Sequence, residues 1–147
     1  MGHSLLYSKV LVPVDVSENS NRALKHALSL SSKLKSKLTI LHVSEVPPFV
    51  YVQSQKLVDS VMASLEKEAK NILDVAQNQA NEFDVEYETV LLKGDNIASV
   101  IIDYNKKNDF DIIVVGSRGQ GKLKTTLLGS VSNNVLHHSK NPVLIIK

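Results

Sequence analysis

Two hydrophobic patterns alternate along the chain. Short runs of branched apolar residues, such as residues 112–115, are typical of strands buried on both faces, whereas apolar residues every three or four positions are typical of amphipathic helices. The first pattern predicts strands at residues 9–14, 37–43, 111–115 and 142–146, and an alternation of apolar and polar residues predicts a further strand at residues 85–91. The second predicts helices at about residues 18–35, 56–82, 97–104 and 128–139. Strands and helices therefore follow one another in strict alternation.

This alternation predicts an α/β fold. Each crossover is long enough to join parallel strands, and right-handed crossovers produce an open doubly wound sheet with helices on both faces. We expect a Rossmann-like, five-stranded parallel sheet of order 3-2-1-4-5, with the more polar third strand near an edge. Ligands of such sheets bind where the winding reverses, which is here at the carboxyl ends of strands one and four.

The segment 44–55 contains Pro47 and Pro48, which should exclude a helix directly after the second strand. We therefore predict a long loop in this segment. Loops of this length inside a domain tend to be functional or mobile, so the segment either covers a ligand or follows no fixed course.

Composition limits the classes of function. A length of 147 residues with 43% hydrophobic content fits a single domain over residues 1–147. The 17 basic and 15 acidic residues are dispersed and give a net charge of +2, without the basic block expected of a nucleic-acid-binding protein. Cysteine is absent, and no apolar run approaches the roughly 20 residues that span a bilayer. We expect a soluble cytoplasmic protein without nucleic-acid or membrane partners.

The segment after the fourth strand carries four of the six glycines of the chain: Gly116, Gly119, Gly121 and Gly129. Glycine permits positive φ angles and a close approach of the backbone to a ligand. The fourth helix begins nearby, and the free N–H groups at its start favour an anion. The hydroxyl of Ser130 would add a further donor.

Two charged residues fit the same site. Arg118 could make a charge-assisted contact with a phosphate, and Asp15, across the switch point, could accept from a ribose hydroxyl or an adenine amino group. This division of roles fits a nucleotide. The glycines are equally consistent with a simple turn of the chain, and Ser130 with a simple helix cap.

Two common nucleotide motifs do not match. A Walker A loop requires Ser or Thr after its lysine, but Lys122 is followed by Leu123. A dinucleotide fingerprint would place glycines after the first strand, where the chain has none. Both classes are excluded.

The glycine spacing resembles that of the universal stress protein family, whose ATP-binding members carry G-x-x-G-x9-G followed by Ser or Thr. Gly116-Ser117-Arg118-Gly119, nine residues and then Gly129-Ser130 satisfy this pattern. The resemblance covers nearly the whole chain. Its other matches are Val12-Pro13-Val14-Asp15, Leu41-His42-Val43, Gly94-Asp95 and the closing Asn141-Pro142-Val143-Leu144-Ile145.

The resemblance implies a set of ATP-binding residues. Asp15 and the backbone at Val43 would contact adenine and ribose, beside a wall formed by Pro13 and Val14. The residues around ribose and phosphates would be Gly116, Arg118, Gly119, Gly129, Ser130 and Val131. Mg²⁺ would be held through the phosphates rather than by protein side chains. Residues 119–128 would form a flap whose order depends on ATP.

The five histidines do not indicate a metal site. None forms a His-x-x-x-His pair, and the adjacent His137 and His138 point about 100° apart on a helix. Their position near the end of the fourth helix favours an interaction with its dipole. His42 belongs to the strand-two pattern and is interpreted as structural. Lys122 and Lys124 either reach a terminal phosphate or are surface charges.

Three functions are compatible with these residues. The first is an ATP-holding homodimer whose nucleotide state alters a surface that another, unknown protein recognises. The second is a slow ATPase or phosphotransferase, for which no general base or Walker lysine can be assigned. The third is a nucleotide-free dimeric interaction protein, against which the intact glycine motif argues. The predicted dimer interface is the apolar edge of strand five: Val143, Leu144, Ile145 and Ile146.

Overall fold

The computed structural model describes residues 6–118 and 128–147 of the chain. Within these residues the strands are β1 (Lys9–Pro13), β2 (Lys37–Glu45), β3 (Glu86–Gly94), β4 (Ile112–Gly116) and β5 (Val143–Ile146). All of them pair in parallel in one sheet of order β3-β2-β1-β4-β5. The predicted fold class and strand order are confirmed.

The described α-helices are α1 (Glu18–Leu34), α2 (Gln55–Ala80), α3 (Ile97–Asn108) and α4 (Ser130–His138). The first three start after a residue whose side chain accepts a hydrogen bond from the first helical turn: Ser17, Ser54 and Asn96. Each such cap stabilises a protein by about 1 kcal/mol, because the first N–H groups of a helix have no partner within it.

Two apolar layers cover the sheet. On one face, α1 and α2 pack against Val10 and Val12 of β1. On the other face, α3 and α4 pack through Ile101 and Val135 against Leu11 of the same strand. Successive residues of a strand point to opposite faces, so β1 contributes to both layers. The helices lie on both faces of the sheet, as predicted.

The segment between β2 and α2 contains a short 3₁₀ helix, Pro48–Val52. The expectation that the two prolines exclude a helix here is wrong. Pro48 is the first residue of this helix, where its fixed φ is favourable and its missing N–H would have had no helical partner. β2 also continues two residues past its predicted end, to Glu45, because it pairs with β3 as far as Gly94.

β3 and β5 are the edge strands of the sheet. Exposed and half-buried residues make up the whole of β3, in agreement with the predicted polar edge. Among the helices of residues 6–118 and 128–147, none has the length and apolar character needed to cross a membrane.

A pair of amides joins α3 to the segment before β5. Asn105 and Asn141 exchange two hydrogen bonds, of 2.8 and 3.0 Å, and Asn141 also donates to the carbonyl of Phe110 at 2.9 Å. Asn105 is buried, so these bonds satisfy polar atoms that water does not reach. Asn141 therefore holds the amino end of β5, at the opposite end of the sheet from the carboxyl ends of β1 and β4.

Candidate functional site

The carboxyl ends of β1 and β4 lie side by side in the sheet. The two strands pair through Val10 with Ile112 and through Leu11 with Ile113. The chain leaves them toward opposite faces, into α1 and α4. The winding of the sheet reverses here, and ligands of doubly wound sheets bind in the crevice at this point. The segments after β1 and after β4 therefore border one crevice.

The segment after β1 is held by hydrogen bonds around Asp15. The N–H of Asp15 donates to Ser20 Oγ at 2.7 Å, and the N–H of Ser17 donates to Asp15 Oδ1 at 2.7 Å. Asp15 is half-buried, and its Oδ2 accepts no hydrogen bond from the described residues. One carboxylate oxygen thus orients the side chain, and the other is available to a hydroxyl or amino donor.

Pro13 and Val14 precede Asp15, and Val43 lies across from them on β2. The N–H of Val14 donates to the carbonyl of Leu41 at 2.8 Å. Backbone groups of alternate residues in a parallel strand point to the same neighbour, so those of Val43 also point toward the end of β1. The structure therefore brings together the residues predicted to contact adenine and ribose.

Ser117 connects three elements at the end of β4. Its N–H donates to the carbonyl of Ile146 at 2.7 Å, its carbonyl accepts from the N–H of Gly129 at 2.8 Å, and its hydroxyl accepts from Asn19 Nδ2 at 3.0 Å. These bonds tie β4 to β5, to the start of α4 and to α1. Neither Ser117 nor Asn19 was expected in the site, although a polar residue within a glycine motif is a signal for such a role.

Gly116 lies against the backbone of α1. A Cβ at this position would be 2.9 Å from both the carbonyl carbon and the oxygen of Asn19, well inside the usual carbon–carbon contact of about 3.5–4.0 Å. Its carbonyl accepts a hydrogen bond from the hydroxyl of Ser132, and its φ is not positive. The close packing of α1 on β4 requires glycine here. A contact of Gly116 with a ligand stays a prediction.

No side chain of the described residues caps the start of α4. Its N-cap residue is Gly129, at φ −64° and ψ 161°. The first bond of the regular helix runs from the N–H of Asn133 to the carbonyl of Gly129 at 2.9 Å, so the N–H groups of Ser130, Val131 and Ser132 have no partner in the helix. These groups and the positive end of the helix dipole favour an anion at the end of β4.

The remaining predicted site residues follow β4. Arg118 is half-buried at the end of the first described range. Gly119 lies outside the described residues, as do Lys122, Lys124 and most of the predicted flap at 119–128. Their predicted roles therefore stay predictions.

The phenol of Tyr104, on α3, has a raised pKa. Burial, and to a smaller extent the charge of Glu88, raises the pKa of its phenol above the ordinary value of 10.0. Its ring packs on Phe110, with 5.7 Å between the ring centroids. Phe110 precedes β4, so this group lies near the amino end of the strand and takes no part in the crevice.

The fold and the crevice define a class of protein. A doubly wound α/β domain with an uncapped helix start at its switch point is typical of proteins that bind nucleotides. Residues 6–147 match the model of the Universal stress protein family. The chain belongs to this family, which confirms the family predicted from its motifs.

Individual relatives agree with this assignment. Universal stress protein YxiE of Bacillus subtilis is 36% identical over 150 residues, which cover 97% of this chain and 100% of that protein. The structure of universal stress protein UspA from Lactobacillus plantarum superposes with a TM-score of 0.85 at 24% identity, over 96% of this chain and 98% of the other, and supports the fold alone.

Two further solved structures contain adenine nucleotides. A universal stress protein in complex with cAMP has a TM-score of 0.71 and 26% identity, over 95% of this chain and 96% of that one. A universal stress protein family protein from Arabidopsis thaliana with AMP bound has a TM-score of 0.69 and 26% identity, over 95% of this chain and 91% of that one.

Proposed function

We propose that this protein binds ATP in the crevice at the carboxyl ends of β1 and β4 and acts as a nucleotide-dependent regulatory module in a stress response. The observation that carries the proposal is the start of α4, where three N–H groups without helical partners adjoin the end of β4. The cAMP and AMP complexes of the two structural relatives support an adenine nucleotide as the ligand.

The adenosine part of the nucleotide lies on the β1 side of the crevice. Asp15 Oδ2, which accepts no bond from the described residues, takes a ribose hydroxyl or the adenine amino group. The backbone of Val43 hydrogen-bonds to the base, with Pro13 and Val14 as its apolar wall. A hydrogen bond to a charged group contributes about 1.5–3 kcal/mol, so Asp15 is a major contributor to affinity.

The phosphates lie on the α4 side. The N–H groups of Ser130 and Val131 and the hydroxyl of Ser130 donate to the phosphate oxygens at the positive end of the helix dipole. Gly116, Arg118 and Gly119 border the ribose and the phosphates. Mg²⁺ is bound through the phosphates. Donors of this kind hold a phosphate without the lysine of a Walker loop.

The purified protein is expected to release ATP or ADP on denaturation, and the nucleotide-free protein to bind ATP in calorimetric titration. Asp15→Asn should weaken ATP binding about tenfold or more, because its amide keeps an oxygen for the N–H of Ser17 but replaces the accepting Oδ2 with a donor. Glu68→Gln, at an exposed position of α2, is the matched control and should bind normally.

A preparation without nucleotide and without measurable affinity for ATP would contradict the proposed function. The same samples, assayed for phosphate release, distinguish binding from catalysis. Turnover that survives repurification and disappears in Asp15→Asn would favour the ATPase alternative.

The proposal includes a homodimer formed through β5. Leu144 on this edge strand is 37% exposed, as is Leu91 on the opposite edge strand, β3. Leu144→Asp should convert the dimer to monomers, because an unpaired carboxylate in an apolar interface is costly, whereas Leu91→Asp should leave it intact. Light scattering coupled to gel filtration measures both. A monomeric wild-type protein, or a dimer that persists in Leu144→Asp, would rule out this interface.

A further inference from the structure

His42, at the end of β2, hydrogen-bonds the backbone directly before Asp15. Its side chain is nearly buried, and its Nδ1 lies 2.8 Å from the carbonyl oxygen of Val14. A carbonyl oxygen can only accept, so Nδ1 carries the proton and donates. The sequence indicated a structural role for His42 without specifying this contact.

Next to this contact, a bond is missing from the ladder between β1 and β2. Regular pairing ends at Pro13 with Leu41, and the N–H of Val14 donates to the carbonyl of Leu41 at 2.8 Å. In a parallel ladder, the next bond would run from the N–H of Val43 to the carbonyl of Val14. That bond is absent between these described residues, and the carbonyl of Val14 accepts from His42 instead.

The N–H of Val43 is thereby left without its ladder partner on the side that faces the end of β1. A backbone N–H that is removed from water without a partner costs about 1–3 kcal/mol. Such groups are paired with protein, water or ligand in native structures. At the rim of the crevice, this N–H is a donor that a ligand can use.

We infer that His42 is a positioning residue of the site. By holding the carbonyl of Val14 toward its ring, it keeps the N–H of Val43 out of the ladder and available to the adenine of a bound nucleotide. The identity of the ligand rests on the proposed function, whereas the state of the Val43 N–H does not. His42 acts through the backbone and is not itself assigned a contact with the ligand.

Two variants of His42 separate this role from general packing. The amide nitrogen of asparagine is the same number of bonds from the backbone as Nδ1 of histidine. The side chain of His42→Asn can therefore still donate to the carbonyl of Val14, whereas that of His42→Leu cannot. In the nucleotide-free full chain, amide exchange at Val43 should be faster than at Leu41 in wild type and in His42→Asn. It should slow about tenfold or more in His42→Leu, because the N–H then pairs with Val14.

Titration with ATP provides a second readout. Affinity should fall about tenfold in His42→Leu and stay within about threefold of wild type in His42→Asn, since one hydrogen bond to the base is lost only in the first. Thermal unfolding without nucleotide shows whether the two variants differ in stability as well. A general packing defect would lower stability without protecting the Val43 amide.

Equal exchange rates at Val43 in the two variants would overturn the inference. Equal protection of the Val43 and Leu41 amides in the wild type would also overturn it. This second measurement needs no variant, so it tests the inference even if His42→Leu does not fold. If wild type fails to bind ATP, the proposed function is wrong, and the exchange comparison still tests the role of His42.

Discussion

Gly129→Val is expected to abolish ATP binding and to leave the fold intact. Gly129 has φ −64° and ψ 161°, a backbone conformation open to every residue, so valine introduces no backbone strain. Its branched side chain instead fills space in front of the N–H groups of Ser130 and Val131. The loss of two charge-assisted hydrogen bonds, each worth about 1.5–3 kcal/mol, corresponds to binding about a hundredfold weaker or more.

Calorimetric titration with ATP measures this loss, and urea unfolding without nucleotide measures stability, which should fall by no more than about 1 kcal/mol for an apolar N-cap. Gly129→Ser is an informative control. A serine here should cap α4, as Ser17 caps α1 and Ser54 caps α2, and so compete with phosphate for the same N–H groups. We expect slightly higher stability with weaker affinity. Unchanged affinity in Gly129→Val would refute the proposed position of the phosphates.

Gly116→Val is expected instead to destabilise the fold, with a loss of about 3 kcal/mol in the free energy of unfolding. The added Cβ would lie 2.9 Å from the backbone carbon and oxygen of Asn19, which cannot rotate away. α1 would have to move off β4, and the bond between Asn19 and Ser117 would break. Overpacking of a well-packed core typically costs about 1–3 kcal/mol, and a backbone obstacle belongs at the upper end of that range.

Urea unfolding of Gly116→Val beside Gly94→Ala tests this explanation. A Cβ at Gly94 would come within 2.4 Å of Val100 Cγ2, which is a side-chain methyl group. A side chain can change rotamer and relieve the contact, so Gly94→Ala should cost about 1 kcal/mol. Equal stability of Gly116→Val and wild type would show that α1 does not depend on glycine at the end of β4.

The fold was largely predictable because its signals are local. Runs of branched apolar residues, and one period-two alternation, identified the strands, and the period of 3.6 identified the α-helices. Their alternation predicted a doubly wound parallel sheet, and the structure confirms this fold class and the expected strand order. The cap of α1 is a local signal of the same kind, since Ser17 stands directly before a helical pattern.

Local sequence signals failed to predict features that depend on tertiary contacts. Pro47 and Pro48 predict a segment without a helix, yet Pro48 starts the 3₁₀ helix Pro48–Val52. The apolar stripe of α2 predicted the helix but not its burial. Residues of the stripe are buried from Ala69 onward, whereas those of the first half are partly exposed: Val58, Val61 and Leu65. Periodicity shows which face of a helix is apolar, and packing determines how much of that face is covered.

By itself, the sequence determined the family, the order of the sheet and the two positions, after β1 and after β4, that border the crevice. The family was predicted from the resemblance of its motifs, and the sheet and the two positions from the alternation of strands and helices along the chain. Only the tertiary structure decided that Gly116 is needed against α1, whereas Gly129 leaves the start of α4 uncapped. It also decided that His42 reaches the carbonyl of Val14. The contacts of Gly116 and His42 join segments separated by whole crossovers, so no local pattern encodes them.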